Sequence, residues 1–114
     1  NWQQAMEKSE ISSEALSELG QLFLTEAPRL QAEIREALKQ NDAQSLRRAA
    51  HTLKSSAALF EARPAAEAAL RLEMLGKENK MDEARDAFEK LELEFNRLLP
   101  AVAAHIDSTT IDKE

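Results

Sequence analysis

Apolar residues recur at helical spacing in four separate runs along the chain. The first run lies between Ser12, the expected N-cap of a helix, and Asn41. Its apolar positions are Leu16, Leu19, Phe23, Ala27, Leu30, Ile34 and Leu38. Pro28 interrupts the backbone hydrogen bonding of this run, but the apolar pattern keeps its phase on both sides. We therefore expect one kinked helix rather than two separate ones.

The second and third runs are separated by a proline. Asp42 is expected to cap the second helix, which covers about residues 42–62. Because the residue before a proline disfavours helical backbone angles, the second helix should end near Ala62 and the third should begin at Pro64. Gly76 is expected to end the third helix as a left-handed residue.

The fourth run follows a short polar stretch. Asp82 is expected to cap this helix. Its apolar positions are Ala84, Phe88, Leu91, Phe95, Leu98 and Val102. Pro100 should either bend the helix or end it a turn early. We expect one bundle domain at residues 1–106 and a polar, frayed tail at residues 107–114.

Four amphipathic helices with short connections predict an all-α fold, an antiparallel up-down four-helix bundle. A short N-terminal helix with Trp2, Ala5 and Met6 on one face would cover an end of it. The length of 114 residues suits one domain with a core that needs no disulfide or metal. Two glycines, three prolines and 43% hydrophobic residues are typical of a compact helical protein.

Composition argues against several classes of function. The chain has no cysteine and two histidines far apart in sequence, so we expect no metal site. A net charge of -6 argues against nucleic-acid binding. With no signal peptide and no apolar segment approaching the ~20 residues of a membrane span, we expect a cytoplasmic protein without direct membrane contact.

One histidine should face solvent on the second helix. At about 100° per residue, Leu46 and Leu53 fall on the apolar face of this helix, whereas His51 falls opposite. Residues 42–63 contain four basic and two acidic side chains, a local surplus of two positive charges in an acidic chain. An exposed imidazole among cationic and small side chains is suited to meet an anionic group.

The sequence around His51 resembles a known family. Histidine-containing phosphotransfer (HPt) domains carry a signature, roughly H-x-L-K-G-x-[SA]-A on a bundle helix, that is similar to AHTLKSSAA at residues 50–58. FLTEAP at residues 23–28 resembles the second helix of the family, and LE at residues 72–73 resembles its next helix. The resemblance covers about residues 2–99. The opening NWQQA also resembles HPt domains at the C-terminal end of hybrid sensor kinases, which implies such a parent protein.

The resemblance implies that His51 accepts a phosphoryl group from the aspartate of one response-regulator receiver domain and passes it to another. A neutral imidazole can act as this nucleophile. Lys54 at i+3 and Arg48 at i-3 can place positive charge near the phosphate. Nothing resembles a nucleotide-binding loop or a magnesium-binding acidic cluster, so we expect no cofactor and no kinase or phosphatase activity of its own.

Further residues are candidates for supporting roles. Glu73 shares a strip with Ala66, Ala69 and Leu70. It would therefore either accept a hydrogen bond from the His51 ring and orient it, or remain a half-exposed surface carboxylate. The expected docking surface for a partner helix comprises Arg47, Ser55, Ala58 and Leu59.

Two departures from the family pattern keep an alternative open. Ser55 replaces the usual glycine after the lysine, and Glu61 replaces a second glycine near the helix end. A degenerate bundle that only binds other proteins is therefore an alternative function. The dimerisation element of a sensor kinase is another, but its histidine is typically followed by an acidic residue rather than by Thr52. Four apolar stripes in one chain favour a self-sufficient monomer.

Overall fold

Four helices make up nearly all of the described chain. The computed structural model describes the backbone of residues 13–112 and the side chains of residues 14–106. In chain order the helices are α1 (Ser13–Gln40), α2 (Ala43–Leu59), α3 (Arg63–Lys77) and α4 (Met81–Asp112). Each packs against its neighbours in sequence, and α4 returns to pack against α1. This arrangement confirms the predicted up-down four-helix bundle. The predicted short N-terminal helix and the Ser12 cap lie outside the described residues.

The predicted apolar stripes meet in one core. Leu19 and Leu98 are half-buried, and every other stripe position predicted for α1 and α4 is buried. The largest fully buried side chains come from all four helices, and they are Phe95, Ile34, Leu46, Leu53, Leu72, Leu91 and Val102. The Phe23 ring lies 5.3 Å from the Phe60 ring and 6.1 Å from that of Phe95, measured between centroids. The aromatic contacts thus join α1 and α4 to the C-cap residue of α2.

Both internal prolines lie within continuous helices. Pro28 is inside α1, and Pro100 is inside α4, which continues to Asp112. The alternative that Pro100 ends the fourth helix is therefore wrong. Val102 and Ile106 are buried beyond the proline, and their packing offsets the hydrogen bond that the proline removes. The helix also begins at Met81, one residue before the expected cap at Asp82. The tail at residues 107–114 stays a prediction.

The connection between α1 and α2 has the predicted form. Asn41 adopts a left-handed φ of 55°, and Asp42 is the N-cap of α2. The Ser45 hydroxyl donates to Oδ2 of Asp42 at 2.7 Å, and the Ser45 backbone N–H donates to Oδ1 at 3.1 Å. These hydrogen bonds hold the pKa of Asp42 below its ordinary value, because they favour the ionised form. The cap fixes where the histidine helix begins.

The turn between α2 and α3 differs from the sequence prediction. The histidine helix ends at Leu59 instead of near Ala62, and α3 begins at Arg63, one residue before Pro64. Glu61 takes a left-handed φ of 56°, and the Ala62 N–H donates to the Ala57 carbonyl at 3.0 Å. These hydrogen bonds satisfy the last carbonyl groups of α2. The helix therefore ends several residues before Pro64, and the proline is not what ends it.

The prediction that Gly76 ends α3 in the left-handed region is wrong. Gly76 lies inside α3, and Asn79 adopts the left-handed φ of 58° instead. A Cβ atom at Gly76 would lie 3.1 Å from the Ala43 carbonyl oxygen and 3.4 Å from the Arg47 Cβ. The glycine therefore suits the close approach of α3 to the first turns of α2, where any larger side chain would be crowded.

We expect Gly76→Val to destabilise the bundle by about 1–3 kcal/mol, because the added atoms meet the backbone of α2. Urea denaturation followed by circular dichroism measures the change. Arg71→Val is the matched control, since Arg71 is exposed on the same helix and takes the same β-branched side chain. Equal stabilities of the two variants would show that the close approach at Gly76 contributes nothing.

Candidate functional site

His51 lies in the middle of α2 on the face that the helical periodicity predicted to be exposed. Its side chain is 58% exposed, whereas Ala50 and Leu53 beside it in sequence are fully buried. Thr52 and Ser55 are also exposed and small. The imidazole can therefore be reached from solvent, while the opposite face of the same helix packs into the core.

Glu73 on α3 binds both His51 and Lys54 of α2. One carboxylate oxygen, Oε2, lies 2.8 Å from Nδ1 of His51, and the other, Oε1, accepts from the Lys54 ammonium at 2.8 Å. Partial burial raises the pKa of Glu73, but the hydrogen bonds from Lys54 and His51 together outweigh it and hold the pKa below its ordinary value. Glu73 is therefore ionised at neutral pH.

The ionised carboxylate defines the tautomer of the ring. A carboxylate can only accept hydrogen bonds, so Nδ1 of His51 must carry the proton in this contact. With Glu73 on Nδ1, the ring nitrogen that keeps its lone pair in the neutral imidazole is Nε2.

An open cleft of about 460 Å³ lies beside the imidazole. It is lined by Arg47, Arg48, His51, Thr52, Glu73 and Lys77. Arg48 is close enough to Asp42 to lower the pKa of that carboxyl. Lys77 was not among the residues predicted from the sequence, although its position one turn beyond Glu73 on the same helix is a signal that could have identified it.

The remaining predicted site residues lie along α2 on the other side of His51. The Ser55 hydroxyl donates to the His51 carbonyl at 3.2 Å, so it is turned toward its own helix. Ala58 is exposed, and Leu59 is half-buried. Leu59 lines a groove of about 250 Å³ between α1 and α2, together with Leu22, whose side chain is exposed. Sequence reasoning missed Leu22, which is an apolar residue off the buried stripe of α1.

Within residues 13–112, no group of three histidine, cysteine, aspartate or glutamate residues could hold a metal ion. In the same part of the chain, no helix combines the length and apolar character needed to cross a membrane.

Fold and site together define a class of protein: a helical bundle that presents an exposed imidazole beside a cleft lined by cationic side chains. The family model of the Hpt domain matches residues 18–104, and the chain belongs to this family. Hpt domains transfer phosphoryl groups through a histidine in phosphorelays, interact with receiver domains and have no kinase activity of their own. Neither a search of curated proteins nor a search of solved structures found a match to the chain.

Proposed function

We propose that this domain is a relay intermediate that accepts a phosphoryl group on His51 from the aspartate of one receiver domain and passes it to a second receiver domain. The single observation that carries the proposal is the contact between Nδ1 of His51 and Glu73, because it leaves Nε2 free on an exposed face. An imidazole kept only for packing would need neither exposure nor a defined tautomer.

The proposed transfer balances without a further reactant. The lone pair on Nε2 of His51 attacks the phosphorus of the aspartyl phosphate, an N–P bond forms, the P–O bond breaks, and the partner's carboxylate leaves with the bonding electrons. Because Nδ1 keeps its proton, the ring gains positive charge as the bond forms. Glu73, 2.8 Å away, stabilises that charge. Attack by the aspartate of the second receiver breaks the N–P bond and returns the electrons to Nε2.

Two cations are proposed to stabilise the transferred group. Arg48 lines the cleft beside His51, and its guanidinium can donate to phosphoryl oxygens. Lys54 is held 2.8 Å from Glu73, and its half-buried ammonium can share its charge between the carboxylate and a phosphoryl group. The aspartate, and any magnesium ion that it needs, would belong to the partner.

The proposed docking surface includes Arg47, Ser55, Ala58 and Leu59. Arg47 would steer an acidic partner, since it is an exposed cation on the rim of the cleft. Ala58 and the groove at Leu59 offer apolar contact to a partner helix. Ser55 supports the relay over a degenerate module, because its small side chain folds back on its own helix and leaves access to His51.

The wider setting is also part of the proposal. The domain would act as a monomer, because the four helices bury their apolar stripes against one another within one chain. It would operate in the cytoplasm, where receiver domains act, as the C-terminal module of a hybrid sensor kinase.

The proposal is tested by mixing the domain with a receiver domain that carries ³²P on its aspartate, and then adding a second, unlabelled receiver. We expect the label to move to the domain within minutes, to resist alkali and to be lost in acid, as a phosphohistidine is. We expect it then to appear on the second receiver. Absence of transfer from every receiver tried, or an alkali-labile product, would contradict the proposal. The phosphorylated receiver incubated alone is the control for spontaneous hydrolysis.

A further inference from the structure

The cleft beside His51 extends one helical turn away from Glu73, toward the loop between α3 and α4. Because α2 and α3 are antiparallel neighbours, the residue four positions before His51 and the residue four positions after Glu73 lie on the same side. These residues are Arg47 and Lys77, and both line the cleft. Gly76 brings them together, since its missing side chain lets α3 lie against Arg47.

The four cations near His51 differ in how their charge is used. Lys54 forms an ion pair with Glu73, and the charge of Arg48 helps to lower the pKa of Asp42. Among the residues that the structure describes, Arg47, Arg48 and Lys77 form no ion pair, and all three are exposed. Of these three, Arg48 lies close enough to Asp42 to affect that carboxyl. In Arg47 and Lys77, an anion that enters the cleft therefore meets two positive charges that no carboxylate offsets, whereas the charge of Arg48 is partly offset by Asp42. The anion need not displace an existing contact to reach Arg47 and Lys77, so binding costs no broken ion pair.

We infer that Arg47 and Lys77 form the main holding site for the phosphoryl group carried by His51, with Lys54 serving chiefly to keep Glu73 in place. The inference rests on the proposed function and adds to it which residues stabilise the phosphorylated state. A phosphoryl group carries close to two negative charges at neutral pH. Lys54 and Glu73 form a nearly neutral pair, whereas Arg47 and Lys77 together offset the charge of the phosphoryl group.

In this arrangement, different residues along the cleft bind the imidazole ring and the phosphoryl group. Glu73 contacts Nδ1 of the ring, and Arg47 and Lys77 line the same cleft, where they would bind the phosphoryl oxygens. No bond in the protein has to break between the free and the phosphorylated states. The site should therefore favour phosphorylated His51 thermodynamically as well as kinetically.

The test is the equilibrium constant for transfer between a phosphorylated receiver and the full 114-residue chain, approached from both directions. The constant is defined by the concentrations of the free, undocked proteins, so it does not depend on how tightly they dock. It therefore reports only the relative stability of the two phosphorylated states. We expect Lys77→Gln to shift it toward the receiver by about threefold, the size expected for an exposed charge pair. Arg47→Gln should have a similar effect, and Lys77→Arg should retain the native value.

Arg71→Gln is the matched control, because Arg71 is an exposed cation on the same helix and does not line the cleft. An equilibrium constant for Lys77→Gln equal to that of Arg71→Gln would overturn the inference while leaving the proposed function intact. Failure of the native domain to accept the label would instead count against the proposed function itself.

A second measurement reads the local charge directly. In ³¹P NMR spectra, the pH at which the phosphoryl group of phosphorylated His51 loses its last proton should rise in Lys77→Gln, because a neighbouring cation favours the dianion. Lys54→Gln should change this titration less than Lys77→Gln does. The opposite order would assign the holding role to Lys54 and overturn the inference.

Discussion

His51→Gln is expected to abolish acceptance of a phosphoryl group and to leave the bundle folded. Glutamine lacks the nitrogen lone pair that is proposed to attack phosphorus, so labelling from a phosphorylated receiver should fall by at least about a thousandfold. Because the His51 side chain is 58% exposed and belongs to no part of the core, the free energy of unfolding should change by no more than about 0.5 kcal/mol.

His105→Gln is the matched control for this prediction, since His105 is the other histidine of the chain and lies on α4. Radiolabel transfer and thermal unfolding should be measured on both variants. We expect His105→Gln to accept the label as the native domain does. Labelling that persists in His51→Gln would show that the phosphoryl group is carried elsewhere, and a lost thermal transition would show that His51 is needed for folding.

Glu73→Ala is expected to slow transfer to His51 by on the order of tenfold to a hundredfold. Carboxylates that fix the tautomer and orientation of a metal-ligating histidine have effects of this size. Glu73 is expected to fix the tautomer and orientation of His51 in the same way. The substitution frees the ring to adopt either tautomer, and it removes the negative charge that we propose stabilises the phosphorylated ring. Glu73→Gln keeps a hydrogen-bond acceptor for Nδ1 and should retain an intermediate rate.

Rapid-quench measurement of the transfer rate checks this prediction, and ¹⁵N NMR of the His51 ring reports its tautomer independently. Glu67→Ala is the control, because Glu67 is an exposed carboxylate on the same helix. Since the pKa of Glu73 lies below its ordinary value, its carboxylate stays ionised at neutral pH and above. The effect of the substitution should therefore be the same throughout that range. A ring that keeps the Nδ1–H tautomer in Glu73→Ala would refute the orienting role.

The fold could be predicted closely from the sequence because the buried apolar residues recur at helical spacing. Positions such as Phe23, Ile34 and Phe95 recur at helical spacing, and this pattern identifies both the helices and the faces that meet. The Asn41-Asp42 boundary was also predictable, because an aspartate N-cap acts through atoms only three residues away.

The ends of α2 and α3 were predicted less well, because turn residues compete with one another. Pro64 and Gly76 are strong local signals, yet the left-handed positions are occupied by Glu61 and Asn79. Gly76 has a different role, since its small size suits the close contact with the first turns of α2. A contact between residues some 30 positions apart leaves no mark in local sequence preferences.

The sequence by itself determined the four helices, the faces they bury and the exposure of His51, because each depends on the spacing of residues within one helix. Tertiary structure decided which side chains stand beside the imidazole. The contact of Glu73 with both His51 and Lys54, and the place of Lys77 in the same cleft, depend on how α3 is aligned along α2. That alignment is set by the packing of two helices, including the close approach at Gly76, and periodicity within either helix does not specify it.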